Sequence, residues 1–112
     1  MSPSMSSIKS PTILLNESNW NQWRTYIRGR LLTKGIWYVM EGMSKNKTRS
    51  GETKDDARDR YLSDSNKAYG IIIEGIEANQ YQYIEDAQLA TEAFTALSNH
   101  HEPKSQIDRD AT

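Results

Sequence analysis

The chain has 112 residues, of which 36% are hydrophobic and 26% charged, and this length and composition predict a single small domain. Its formal net charge of −1 argues against a dedicated phosphate-backbone binder, because such domains carry a basic excess. The absence of cysteine excludes disulfides, thiol nucleophiles and Cys-ligated zinc. Residues 1–10 lack the apolar core of a signal peptide, and no apolar run reaches the roughly 18 residues of a membrane helix. We therefore expect a cytoplasmic protein with no membrane contact.

The two ends of the chain are polar and offer little to bury. Residues 1–12 are rich in Ser and Pro, and they predict a disordered tail. Order is expected to begin at the apolar run of residues 13–15, which starts a helical domain over residues 13–104. Residues 105–112 predict a frayed C-terminal tail.

A first helix is predicted to begin at Asn19. Asn is a good N-cap, and Gln22 stands three residues later, as in a capping box. Gly35 is a natural left-handed stop at the other end of the helix. The following residues 36–41 predict a compact apolar turn or short helix, with Trp37 and Val39 or Met40 as its anchors. Spacings of three and four place four apolar residues on one face of this helix: Trp20, Trp23, Ile27 and Leu31.

A second helix is predicted after the polar, basic loop of residues 42–54, with Thr53 and Asp56 as its capping pair. The run Ile71–Ile73, flanked by glycines, also fits a buried strand when taken alone. We favour a helix, because the apolar stripe continues back to Tyr61 and no second strand is present to pair with it. That stripe comprises Tyr61, Leu62, Ala68, Tyr69, Ile72, Ile73 and Ile76.

A last helix is predicted over about residues 87–101, with Asp86 as its cap and Pro103 beyond its end. The fold class is therefore all-α, a small orthogonal bundle of about four to five helices. The predicted structural core has ten members: Trp20, Trp23, Ile27, Leu31, Trp37, Tyr69, Ile72, Ile76, Phe94 and Leu97.

The charges divide along the chain. Residues 1–54 hold nine Lys or Arg against three acids, a balance of +6, and residues 55–112 hold five against twelve, a balance of −7. A basic and an acidic face on one molecule would suit head-to-tail contacts between copies. The alternative interpretation is that both halves are solvated helix surface.

Two sets of side chains carry a nucleic-acid interpretation. The aromatic residues, Trp20 and Trp23 among them, would form a stacking platform for single-stranded nucleic acid, but their helical spacing favours core packing. The basic residues of the first helix are candidates for weak nucleic-acid or self-contact, with solvated helix flank as the alternative. They are Arg24, Arg28, Arg30 and Lys34.

No pattern in the sequence indicates catalysis. His100 and His101 are adjacent, so their side chains point roughly 100° apart on a helix, and no third ligand accompanies them in sequence. The acids of residues 55–64 are interleaved with Arg, which is typical of a salt-bridged helix start. We expect no enzyme activity, no metal site, no cofactor and no small-molecule substrate.

Two blocks resemble the N-terminal Gag region of copia-type (pseudovirid) retrotransposons. In residues 15–42 the likeness rests on Leu15, the pair Asn19-Trp20, Trp23 three residues later, and the closing runs Gly35-Ile36-Trp37 and Glu41-Gly42. In residues 68–97 an apolar helix is followed by Ala90-Thr91-Glu92-Ala93-Phe94 and Leu97. Departures include Glu17 in place of a family Gly and Phe94 in place of a family Trp.

The resemblance implies a capsid-type assembly domain, of which this chain holds the N-terminal lobe. The downstream Cys-rich zinc knuckle that binds nucleic acid in the family is not in this sequence. We therefore expect weak, multivalent self-association into a shell or lattice, with RNA contact weak through this chain alone. Two alternatives remain open: a helical adaptor that binds a host protein without polymerising, and a weak RNA-binding module.

Overall fold

Within residues 12–102, three α-helices carry the fold: α1 spans Trp20–Thr33, α2 Lys54–Glu74 and α3 Ala90–His101. The connections contain three short 3-10 helices, Trp37–Glu41, Met43–Lys45 and Ala78–Tyr83. This computed structural model describes residues 12–102, and over that range the all-α prediction is confirmed. The predicted tails, residues 1–12 and 105–112, lie outside the described residues except for Thr12.

Both ends of α1 lie where predicted, with Asn19 at the N-cap position, but the predicted capping bond at its start is absent. The side chain of Asn19 does not cap the helix, because its Oδ1 accepts from the Asn16 amide (2.9 Å) and its Nδ2 donates to the Leu14 carbonyl (3.0 Å). These bonds hold the preceding turn instead. At the other end Gly35 has φ +75°, its amide donates to Leu32 and the Ile36 amide to Leu31. This pair of bonds is a Schellman motif, which satisfies the last carbonyls of the helix.

The predicted capping box of α2 is confirmed. The Asp56 amide donates to Thr53 Oγ1 (3.0 Å), and the Thr53 amide donates to the Asp56 carboxylate (3.1 Å). Ile71–Ile73 is helical, as favoured. The helix ends at Glu74, so the prediction that Ile76 continues its stripe is wrong. Ile76 instead forms an isolated parallel bridge with Leu15, because the Leu15 amide and carbonyl bond to Gly75 and Glu77.

The start of α3 also corrects the prediction, since the helix begins at Ala90 and its N-cap position is Leu89 rather than Asp86. A leucine side chain cannot accept a hydrogen bond, so other residues accept from the backbone amides at the start of α3. Ser65 Oγ, from the middle of α2, accepts from the buried Ala90 amide at 3.1 Å. Glu92 accepts from the amides of Gln88 and Leu89. The first turn of α3 is thus capped partly by another helix.

The helices pack around one hydrophobic core, in which α2 contacts both α1 and α3 and the first 3-10 helix contacts all three. None of the helices in residues 12–102 is long and apolar enough to cross a bilayer. Seven of the ten predicted core residues are buried: Trp20, Trp23, Ile27, Leu31, Ile72, Ile76 and Leu97.

The other three predicted core residues are only partly buried, and they line the edge of the core. Trp37 lies under the guanidinium of Arg28, 5.4 Å from its ring centroid. The Tyr69 hydroxyl donates to the carbonyl of Ala87 (2.9 Å), which draws its ring towards the chain before α3. Phe94 packs its ring against Trp20 and Trp23.

Candidate functional site

A cluster of polar side chains joins three distant parts of the chain at one edge of the domain. Glu17 lies in the turn before α1, Gln80 in the 3-10 helix Ala78–Tyr83, and His100 and His101 in the last turn of α3. The bridge between Leu15 and Ile76 brings the first two segments together. We call these four residues the Glu–Gln–His cluster.

Gln80 is the buried centre of this cluster, with none of its surface exposed. Its Nε2 donates to Glu17 Oε2 at 2.8 Å and to Asn79 Oδ1 at 3.1 Å, and its Oε1 lies 2.6 Å from His101 Nε2. A carboxylate only accepts hydrogen bonds, so the amide nitrogen must face Glu17 and the amide oxygen must face His101. His101 therefore carries its proton on Nε2 and has its lone pair on Nδ1.

His100 closes the cluster from the solvent side. Its Nε2 lies 2.9 Å and 3.1 Å from the two carboxylate oxygens of Glu17, in a pair that joins positions 83 residues apart. Glu17 accepts hydrogen bonds from both His100 and Gln80. The turn before α1 is therefore linked directly to the end of α3 and to the 3-10 helix Ala78–Tyr83.

Both imidazole rings rest on aromatic faces. His101 stacks on Trp20, with centroids 5.3 Å apart and planes 3° from parallel, and His100 stacks on Tyr83 at 3.8 Å and 22°. The two imidazoles are 4.7 Å apart and nearly perpendicular, at 86°. Stacking therefore fixes the directions in which the ring nitrogens point.

The surroundings set the charge of the cluster. Hydrogen bonds from Gln80 and then from His100 hold the pKa of the Glu17 carboxyl below its usual range. Burial, and to a lesser extent the neighbouring His100, lowers the pKa of His101, so its neutral form is favoured. A carboxylate and a neutral imidazole thus lie side by side at neutral pH.

The structure places a third potential ligand beside the histidine pair, which the sequence did not indicate. Glu17, His100 and His101 each offer one ligand atom, and these atoms lie within 4.8 Å of one another. Local spacing did not reveal this, because the third group comes from the opposite end of the domain. A general preference of His for carboxylates does not identify one Glu among the fifteen acids of the chain.

The four basic residues predicted for weak contact do not form one patch. Arg24 is paired with Glu102 at 3.1 Å, and Arg28 lies over Trp37. Arg30 and Lys34, on the other side of α1, line a shallow surface groove with Tyr26. The basic residues of α1 thus form two groups, which lie on opposite sides of the helix.

The aromatic residues lie where core packing places them. Trp20, Trp23 and Tyr61 are buried, and Tyr61 donates from its hydroxyl to the Val39 carbonyl at 2.7 Å. Their ring faces are covered by neighbouring side chains, so they do not offer an exposed stacking platform.

A second polar network holds the basic loop against α2. Arg60 donates to both carboxylate oxygens of Glu52, at 2.7 Å and 3.0 Å, and to the Lys47 carbonyl at 2.9 Å. The Arg60 guanidinium and the Arg49 amide lower the pKa of Glu52 to about 2. Tyr38 lies beneath the Arg60 guanidinium and bonds to Asp64 at 2.5 Å. These contacts are structural, since they order residues 47–52.

Comparison of the chain with known protein families, with curated proteins and with solved structures found no match.

Proposed function

We propose that this chain is a Gag-like helical assembly domain that associates weakly with copies of itself through oppositely charged surfaces. The observation that carries the proposal is the separation of charge onto different elements. Residues 18–40 contain four Lys or Arg and no acid, whereas residues 68–102 contain six acids and no Lys or Arg. The resemblance to copia-type Gag described above supports the same function.

The charges that would meet between copies are solvent-accessible. On α1, Arg28 and Lys34 are exposed and Arg30 is half-buried. On the acidic part of the chain, Glu74, Glu85, Asp86 and Glu92 are exposed. A basic edge of one copy and an acidic edge of the next form a heterologous contact, which repeats into a ring, shell or filament.

Each such contact is expected to be weak and sensitive to salt, because exposed charge pairs contribute little individually and are screened. Assembly would then depend on many contacts at once. The scattered placement of the basic residues fits this picture, since two edges of α1 can meet two neighbours. It fits a lattice better than one strong dimer interface.

The test is the mass in solution, measured by light scattering and sedimentation velocity over a wide range of protein concentration. We expect growth beyond the dimer at low ionic strength and a marked decrease at about 150 mM salt, where the Debye length is about 8 Å. A folded monomer at every concentration and at both ionic strengths would contradict the proposal and would favour the adaptor alternative.

Charge reversal locates the contact. The double variant Arg30→Glu, Lys34→Glu and the double variant Glu85→Lys, Asp86→Lys should each fail to associate alone, and their mixture should associate again because opposite charges are restored. The matched control is Lys54→Glu with Arg58→Glu, which makes the same change in net charge at exposed positions of α2. Equal loss of association in the control would show that only total charge matters.

A further inference from the structure

We propose that Glu17, His100 and His101 bind a divalent transition metal, with Zn²⁺ as the best match. Imidazole nitrogens and carboxylate oxygens are ordinary zinc ligands, and two His with one Glu leave a fourth position open to water. The three groups already offer ligand atoms within 4.8 Å of one another. This inference does not depend on self-association.

Binding an ion needs a local rearrangement of the three ligands. Zinc lies about 2.0–2.2 Å from nitrogen and oxygen ligands, so ligand atoms in a tetrahedral site are about 3.3–3.5 Å apart. Glu17 Oε1 and His100 Nε2 are 2.9 Å apart, so these two groups need only open slightly around an ion. Both residues are exposed, which leaves room for the adjustment. His101 is the member that must move closer.

The ring positions are prepared by the neighbours of the cluster. Trp20 and Tyr83 support the two imidazoles from behind, so fewer rotamers are lost when a metal binds. Gln80 accepts from His101 Nε2, and metal-binding histidines commonly donate their second ring N–H to such an oxygen. Coordination through His101 Nδ1 keeps that bond, whereas coordination through Nε2 exchanges it for the metal.

A bound metal would join the turn before α1 to the last turn of α3. The two segments are now held together by hydrogen bonds between Glu17 and His100 and through Gln80. Metal–ligand bonds at the same place should stabilise the folded chain, since the unfolded chain does not present the three groups together. Zinc is therefore expected to raise the thermal midpoint.

The experiment is a Zn²⁺ titration of the untagged full chain near neutral pH, by calorimetry and by competition with a chromogenic chelator. We expect one Zn²⁺ per chain and a rise in the thermal midpoint. Glu17→Gln and His100→Asn should each weaken binding by about tenfold or more and remove the rise. Glu41→Gln, which also removes one exposed carboxylate, is the matched control and should bind zinc like the original chain. Co²⁺ should show a visible absorption spectrum of tetrahedral type, lost in the same two variants.

Two outcomes would overturn the proposal. The first is the absence of a one-to-one zinc complex in the unaltered chain. The second is unchanged zinc affinity in both Glu17→Gln and His100→Asn. Far-UV circular dichroism and thermal midpoints recorded with a chelator present establish that each variant is folded, so weaker binding then reports the loss of a ligand.

Discussion

The indole Nε1 of Trp23 donates a 2.6 Å hydrogen bond to the carbonyl of Gly75, within the buried core. That carbonyl also accepts from the Leu15 amide at 2.8 Å, so one backbone oxygen joins α1, the end of α2 and the segment before α1. A tryptophan predicted only as apolar core therefore also supplies a specific polar contact. It satisfies a carbonyl that the end of α2 leaves without a helical partner.

Both the hydrogen bond and the packing of Trp23 should contribute to stability. Trp23→Phe removes the donor and part of the buried ring, and we expect a loss of about 1–3 kcal/mol in the free energy of unfolding. Trp23→Ala should cost about 3–5 kcal/mol, because it also leaves a cavity. Urea unfolding followed by circular dichroism gives both values. Trp37→Phe at the edge of the core is the control, and a loss as large as that of Trp23→Phe would contradict the role of the Gly75 contact.

Gly70 and Gly75, only five residues apart, should respond to alanine in opposite ways. A Cβ at Gly70 would meet nothing within 4 Å, so Gly70→Ala should stabilise the helical state of α2 by about 0.5–1 kcal/mol. A Cβ at Gly75 would lie 3.3 Å from both Trp23 Nε1 and the Ile71 carbonyl oxygen. Gly75→Ala should therefore cost about 1–3 kcal/mol. Unfolding free energies that change in the same direction in both variants would refute this packing.

The cap that Ser65 provides to α3 predicts a stability effect from the middle of another helix. Ser65→Ala leaves the buried Ala90 amide without its acceptor, and we expect a loss of about 1–2 kcal/mol. Ser63→Ala is the matched control, because Ser63 is exposed on the same helix and alanine favours helix. Thermal and urea unfolding of both variants make the comparison. If the Ser65→Ala protein were as stable as the Ser63→Ala protein, Ser65 would not be a stabilising cap of α3.

The lowered pKa of His101 predicts acid sensitivity in a defined range. Burial, followed by the charge of His100, places its folded pKa below the ordinary value of 6.5. Between these two values the unfolded chain binds more protons, so this contribution to stability is full above 6.5 and falls as the pH drops towards the folded pKa. We expect the thermal midpoint to decrease as the pH falls below about 6.5.

His101→Gln tests whether His101 is the titrating group, since it removes the imidazole. The decrease in midpoint over the same pH range should be smaller in this variant than in the unaltered chain. NMR titration of the His101 ring measures its pKa directly. A pKa at or above 6.5 would contradict the prediction.

Helix ends were predicted correctly where they depend on residues close together in the chain. The Thr53 and Asp56 capping box and the Gly35 stop involve residues within five positions of one another, so their patterns are visible in the chain itself. Asn19 occupies the predicted N-cap position without making a capping bond, and Asp86 is not the N-cap of α3, although both are chemically suitable residues. Asn19 is used by the preceding turn, and the start of α3 was decided by Ser65, 25 positions away.

The buried faces of the helices were likewise predictable for the long apolar stripes. Trp23, Ile27 and Leu31 are buried because a helix places residues three and four apart on one side. The edge of the core was less predictable. Leu15 is fully buried from a segment without helical period, while Trp37 and Phe94 remain partly exposed. Which large side chains reach the centre depends on how the segments cross.

By itself, the sequence determined the all-α class, the approximate helices and their apolar faces, because these follow from hydrophobic period and short-range capping. It also determined the division of charge that motivates the assembly proposal. Only the tertiary structure brought Glu17 to His100 and His101 and placed Gln80 beneath them. No local rule pairs residues 83 positions apart, because that meeting follows from the packing of the whole core and from the bridge between Leu15 and Ile76.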